Sequence, residues 1–90
     1  MKFTEEFLRK AHKHSIFHHS EIMESDLCCC FYCRSNFDPE KILEWCDEED
    51  PRGKTALCPN CGIDSVIGSK SGYPITDEYF IEEIHRFWFN

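Results

Sequence analysis

The chain predicts one small α+β domain built around a four-sulfur core, and three observations carry that prediction. Two cysteine pairs share a two-residue gap, Cys30-Phe31-Tyr32-Cys33 and Cys58-Pro59-Asn60-Cys61, and residues 34–57 between them are enough chain to fold back and bring four sulfurs to one point. Thr55-Ala56-Leu57 leads into the second pair and Ile63 to Ile67 leads out, which suits two short strands or hairpins joined at a knuckle. Apolar residues at helical spacing flank this core on both sides.

The elements follow in order. Phe3, Phe7, Leu8 and Ala11 place a helix from Thr4 to about His14, with Thr4 as N-cap and Glu5 and Glu6 in the first turn, where the helix dipole favours acids. The stretch His12 to His19 either extends that helix through Ile16 and Phe17 or breaks near Ser15, and a second helical turn is expected from Ser20 through Met23. Asp38-Pro39-Glu40-Lys41 reads as the start of a central helix of about two turns, with Asp38 as cap and Ile42, Leu43 and Trp45 or Cys46 on its apolar side. Asp47 to Gly53 reads as a solvated acidic loop, and Gly68 to Pro74 as a flexible connector. Thr76-Asp77-Glu78 opens a final helix whose stripe is Phe80, Ile81, Ile84, Phe87 and Trp88, with Glu82 and Arg86 paired one turn apart. The single domain, 1–90, thus divides into a helical segment 1–27, a metal-knuckle core 28–68, and a connector with C-terminal helix 69–90.

Ninety residues bury a modest fraction of their surface, so a staple is expected. Seven cysteines in so short a chain would suggest disulfides in a secreted protein. Met1 to Lys10, however, contains no continuous apolar stretch of the kind a secretory leader carries, and nothing approaches the roughly 20 apolar residues of a membrane span. The expectation is a cytoplasmic protein with no membrane association and reduced thiols, in which paired cysteines are metal ligands. The odd count and the run Cys28-Cys29-Cys30 also fit a disulfide framework poorly.

Cys30, Cys33, Cys58 and Cys61 are the candidate ligands of one structural Zn2+, the default metal for four thiolates, with iron as the alternative. Gly62 follows the second pair and supplies a left-handed backbone; the first pair has Arg34 there, whose charge would partly compensate the thiolates. Cys28 or Cys29 could replace Cys30 by a slip of register, although neither has the two-residue gap to Cys33. Cys46 reads as a small buried hydrophobe on the central helix. His14 and His18 would share a helix face, yet no His-Glu-x-x-His and no nucleophile triad accompanies His12 to His19, so a solvated, partly basic helix end is expected. His85 falls at the edge of the last buried stripe. The acids Asp47 to Asp50 lack the alternating positions of a calcium loop. Core claims most of Phe87-Trp88-Phe89, with Phe89 the residue to find exposed.

Three resemblances stand on these residues. Cys30 to Cys33, Glu44-Trp45, the run Thr55 to Gly68 and Gly72-Tyr73-Pro74-Ile75-Thr76 resemble a family of small bacterial proteins usually labelled only "cytoplasmic protein"; this implies a cytosolic cysteine-knuckle protein and no particular activity. The form Cys58-Pro59-Asn60-Cys61-Gly62 in an acidic chain also resembles rubredoxin, which implies iron and one-electron transfer, although Arg34 stands where rubredoxin has a second glycine. Leu57-Cys58-Pro59-Asn60-Cys61 is similar to the second half of HNH-type nucleases with their treble-clef fold, but residues 34–57 contain no histidine to serve as their base. The core is therefore expected to be zinc-ribbon-like or treble-clef.

Formal charge is −7, from 10 basic and 17 acidic residues, and only Arg9 to His19 is locally basic. Phosphate backbones repel such a surface, so the easier partner is another protein with a basic face. The functional expectation is a non-enzymatic zinc-binding module for protein interaction or regulation. The alternatives are a nucleic-acid-binding zinc ribbon, a degenerate HNH-type nuclease, and a rubredoxin-like iron carrier.

Overall fold

The computed structural model describes residues 3–89 and makes the three consecutive cysteines the middle strand of its larger sheet. Met1, Lys2 and Asn90, which belong to the expected terminal segments, lie outside the described residues. Strand β1 (Cys28–Cys30) is flanked by β2 (Asn36–Phe37) and β5 (Val66–Gly68), both antiparallel, with Cys28 opposite Phe37 on one side and Cys30 opposite Val66 on the other. A separate two-stranded sheet pairs β3 (Trp45–Cys46) with β4 (Thr55–Ala56). Helices α1 (Glu5–His12), α2 (His19–Met23) and α3 (Glu78–Phe89) complete an α+β fold.

All of β1 is buried, and side chains alternate across a strand, so it divides two cores. Cys29 faces a cluster of Leu8 and Ala11 from α1, Phe80, Ile81 and Ile84 from α3, Ile67 from β5, and Phe31 and Ile75. Cys28 and Cys30 face Ile22, Phe37, Ile42, Ala56, Cys58 and Val66. A small thiol suits a strand pressed from both sides, which explains why three cysteines in a row are tolerated there. Close approach also fixes Gly68: a Cβ on it would stand 2.2 Å from the Ser25 hydroxyl oxygen, which donates to the Glu21 carbonyl and accepts the Lys70 N–H.

The terminal helices form as their local signals predict. The Thr4 hydroxyl accepts the Phe7 N–H at 3.1 Å, Asp77 accepts the Tyr79 N–H at 2.9 Å, and Arg86 pairs with Glu82 at 2.9 Å. Among the described residues, no helix is long and apolar enough to cross a membrane.

The central helix is a correction. Only one 3-10 turn, Pro39–Lys41, forms, and the Asp38 side chain makes no capping bond. Ile42 then turns extended to reach the second core, and Trp45 and Cys46 are taken into the ladder with Thr55 and Ala56. Non-local pairing overrides a two-residue start signal. The strands on either side of the second knuckle exist, but β4 pairs with β3 and β5 with β1, so they lie in different sheets. The expected connector is likewise built into the fold: Gly68 ends β5, Ser69–Ser71 form a 3-10 turn, and the Ser69 hydroxyl accepts the N–H groups of Asp26 and Leu27.

The histidine run breaks after a 3-10 turn, Lys13–Ser15, and His18 is buried rather than solvated. The Ala56 N–H donates to His18 Nε2 at 3.0 Å, so Nδ1 carries the proton and donates to the His14 carbonyl at 2.5 Å. This neutral imidazole ties the N-terminal helices to β4. Burial lowers its pKa, against the raising effects of the His14 carbonyl and Glu21. The neutral form is therefore favoured by folding: its stabilisation is full above the ordinary imidazole value of 6.5 and is lost as pH falls through the lowered one. His18→Ala should cost about 2 to 3 kcal/mol at pH 7.5, by leaving the Ala56 N–H unpaired. Chemical denaturation at a series of pH values should show the gap between wild type and variant narrowing below 6.5; a constant gap would contradict this account.

Candidate metal centre

The two knuckles are the same turn built twice. In the first, the Cys30 N–H donates to the Ser35 carbonyl at 3.0 Å and the Arg34 N–H to the Cys30 carbonyl at 2.7 Å. In the second, the Cys58 N–H donates to the Ile63 carbonyl at 3.0 Å and the Gly62 N–H to the Cys58 carbonyl at 2.9 Å. Both turns need a left-handed residue just after the second cysteine, and both have one, Arg34 at φ +66° and Gly62 at φ +79°. The first knuckle grows from the end of β1; the second lies between β4 and β5, which returns to β1 and carries the second turn to the first. Side chains join them directly: the Asn60 amide donates to the Ser35 hydroxyl at 2.9 Å, and that hydroxyl lies 3.0 Å from Cys33 Sγ.

This arrangement brings the sulfurs of Cys30, Cys33, Cys58 and Cys61 within 4.8 Å of one another. Cys30 and Cys61 are 3.6 Å apart, and Cys33 and Cys58 3.7 Å. A tetrahedral ion with metal–sulfur bonds of about 2.3 Å would need sulfurs about 3.8 Å apart. A disulfide needs about 2.05 Å, and all seven cysteines are free. The four thiols are thus placed to hold a metal ion.

Their environments differ. Cys30 and Cys58 are buried, Cys61 is half-buried and Cys33 is exposed. Burial pushes the Cys30 thiol well above the ordinary range, against backbone N–H bonds from Cys33 and Tyr32, and burial also raises Cys61. For Cys33 burial acts upward, but hydrogen bonds from Ser35, Cys58 and Cys30 prevail and hold it down at about 7. The Asn60 N–H donates to Cys58 Sγ at 3.3 Å. Near neutral pH the exposed Cys33 is more readily ionised than the buried Cys30.

Cys28 and Cys29 stay outside this cluster, in the two cores, with thiols pushed up to about 12 by burial. Cys46, expected in the core of a helix, is half-buried on β3 with its sulfur 3.8 Å from an Asp47 carboxylate oxygen. His12 stacks on Trp88, His14 lies 3.0 Å from Glu21, and His19 packs against Trp45. Among the described residues, the four cysteines are the one group of three or more His, Cys, Asp or Glu side chains arranged to hold an ion.

An aromatic cluster beside the first knuckle escaped the sequence reading. Tyr32 meets the Phe89 ring edge-on at 4.8 Å, Phe89 also contacts Phe31 and His85, and the Phe31 carbonyl accepts a hydrogen bond from His85 Nδ1 at 2.9 Å. Trp88 and Phe89 are both exposed, so the core claims less of the C-terminal aromatics than their helical spacing predicts. The available signal was the placement of Tyr32 inside the knuckle, where a tight turn points the side chain outward, with His85 and Phe89 one turn apart on α3. Comparison with family models, curated proteins and solved structures finds no match to this chain.

Arg34 bears a cost that Gly62 does not, because a left-handed backbone is unfavourable by about 1 to 2 kcal/mol for a residue with a Cβ. Arg34→Gly should therefore raise stability by about 0.5 to 1 kcal/mol after the added chain entropy of glycine. Denaturant unfolding of the two metal-loaded proteins measures this; a loss of stability would mean that the guanidinium offsets thiolate charge by more than the backbone strain it imposes.

Proposed function

We propose that this chain is a domain stapled by a single structural zinc ion, zinc-ribbon-like at its knuckles, and that it acts by docking onto another protein. The observation that supports the metal reading is the sulfur geometry: two congruent turns place four thiols at tetrahedral spacing. A full set of four thiolates leaves no coordination position for a substrate or an activated water, so the ion serves folding rather than turnover. Iron suits the same donors, and colour separates the two. Protein docking is supported by the side chains around the first knuckle, where Tyr32, Trp88 and Phe89 are 43%, 39% and 41% exposed. Exposed aromatics of this kind are typical binding anchors. A formal charge of −7, made more negative by about −2 when four thiolates enclose a divalent ion, favours a partner with a basic, apolar face over a phosphate backbone.

Elemental analysis of the purified chain should find about one zinc per molecule and a colourless solution, whereas a red, iron-loaded sample would make electron transfer the leading reading. Cys61→Ser should abolish both metal retention and cooperative unfolding, because metal binding free energy is then folding free energy. Cys46→Ser, outside the cluster, should stay within about 0.5 kcal/mol of wild type. A Cys61→Ser variant that melts like the wild type would end the structural assignment.

For the docking surface, Tyr32→Ala with Phe89→Ala should leave metal content intact and weaken a captured partner by about 2 kcal/mol or more, measured by titration calorimetry. Equal affinity in the double variant would place the interface elsewhere.

A further inference from the structure

A cavity of about 360 Å³ lies between the first knuckle, β2 and α3, lined by Cys29, Arg34, Asn36, Ile75, Thr76, Glu78, Ile81 and Glu82. Its size is at the small end of ligand pockets. Cys29, Ile75 and Ile81 are buried and give it an apolar floor. The charged walls are of opposite sign and come from different elements, Arg34 from the knuckle and Glu78 and Glu82 from α3.

Two features of those walls point to a ligand. Arg34 and Glu78 line one cavity, yet among the described residues neither forms an ion pair. Opposite charges that face a common space without closing on each other leave a gap suited to a molecule bearing both. Glu78 and Glu82 also stand one turn apart on a single helix face, an arrangement that is mildly repulsive. Arg86 engages one oxygen of Glu82 at 2.9 Å, which leaves the other oxygen and the whole Glu78 carboxylate for a cation.

We infer that this cavity binds a small zwitterion with an apolar side chain, of the free α-amino acid class. The Arg34 guanidinium takes the carboxylate as a planar fork, assisted by the Asn36 amide. Glu78 and Glu82 take the ammonium, and the side chain lies over Cys29, Ile75 and Ile81. The left-handed backbone at Arg34 has a use in this reading: it sets the direction in which the exposed side chain leaves the knuckle, at one wall of the cavity.

The test is titration calorimetry on the chain loaded with whichever metal it retains, so that the result stands apart from the identity of that metal. L-leucine, L-methionine and L-valine are the probes, with leucinamide and N-acetyl-leucine as leucine analogues each lacking one charge. At least one of the amino acids should bind with a Kd below about 1 mM. Each leucine analogue should bind about tenfold or more weakly than leucine. Arg34→Gly, which keeps the knuckle conformation, should weaken leucine about tenfold and leave leucinamide unchanged, and Glu78→Gln should weaken leucinamide but not N-acetyl-leucine. The proposal is overturned if none of the three amino acids binds by about 10 mM, or if leucine binds Arg34→Gly as it binds wild type.

Discussion

Four sulfurs held within 4.8 Å are the constraint on which the remainder of this fold depends. As thiolates they repel, and burial of two of them removes the water that would screen that repulsion. A cation at their centre would turn that repulsion into a cross-link. The placement of the strands follows from this. The first knuckle leaves β1, the second joins β4 to β5, and β5 pairs back along β1, so the centre sits where the two sheets approach each other. With Cys30 and Cys58 both in the second core, the four-cysteine cluster and the apolar packing around Ile42, Ala56 and Val66 are one structural unit.

The first core stands apart from that unit. It packs α1 and α3 against the opposite face of β1 through Leu8, Phe80, Ile81 and Ile84, and it meets the centre through the strand and through Phe31, which lies inside the first knuckle. Aromatic rings extend it to the surface: Phe3, Phe7, Tyr73 and Phe80 meet edge-on or stacked at one end, and Phe31, Tyr32 and Phe89 gather near the first knuckle at the other. The N-terminal helices are tied to the second sheet by polar bonds, with His18 on the Ala56 N–H and the Phe17 N–H on the Thr55 hydroxyl.

Much of this was legible because its signals are local. Thr4 with Glu5 and Glu6, and Asp77 ahead of Phe80, mark helices whose caps lie within three residues of the groups they satisfy. The matched spacing of the cysteines likewise brought Cys30, Cys33, Cys58 and Cys61 forward together; alternation along β1 turns Cys29 to the other face, and Cys28, on the face of Cys30, stands two residues farther from the knuckle. What was not legible depends on distant partners. Pro39 gives a single turn because Trp45 and Cys46 are claimed by residues 55 and 56. His18 is buried because its partner stands 38 positions along the chain. Arg34 was read for its charge, and only the congruence of the two turns reveals that its backbone does the work of a glycine.

The division of the centre into two self-contained turns also bears on how the molecule comes to exist. Each knuckle closes over about half a dozen residues, so each can form early and independently as a half-site with two sulfurs. Joining the halves requires closing the long intervening segment, the step that contact order makes slow. An ion already held by one knuckle can capture the other and convert that slow search into a ligand exchange. With the structural ion proposed above, assembly would become a reaction with a concentration term: the rate at which newly made chains reach the native state would follow the supply of free metal, and a cell short of it would accumulate chains with two finished turns and no completed fold.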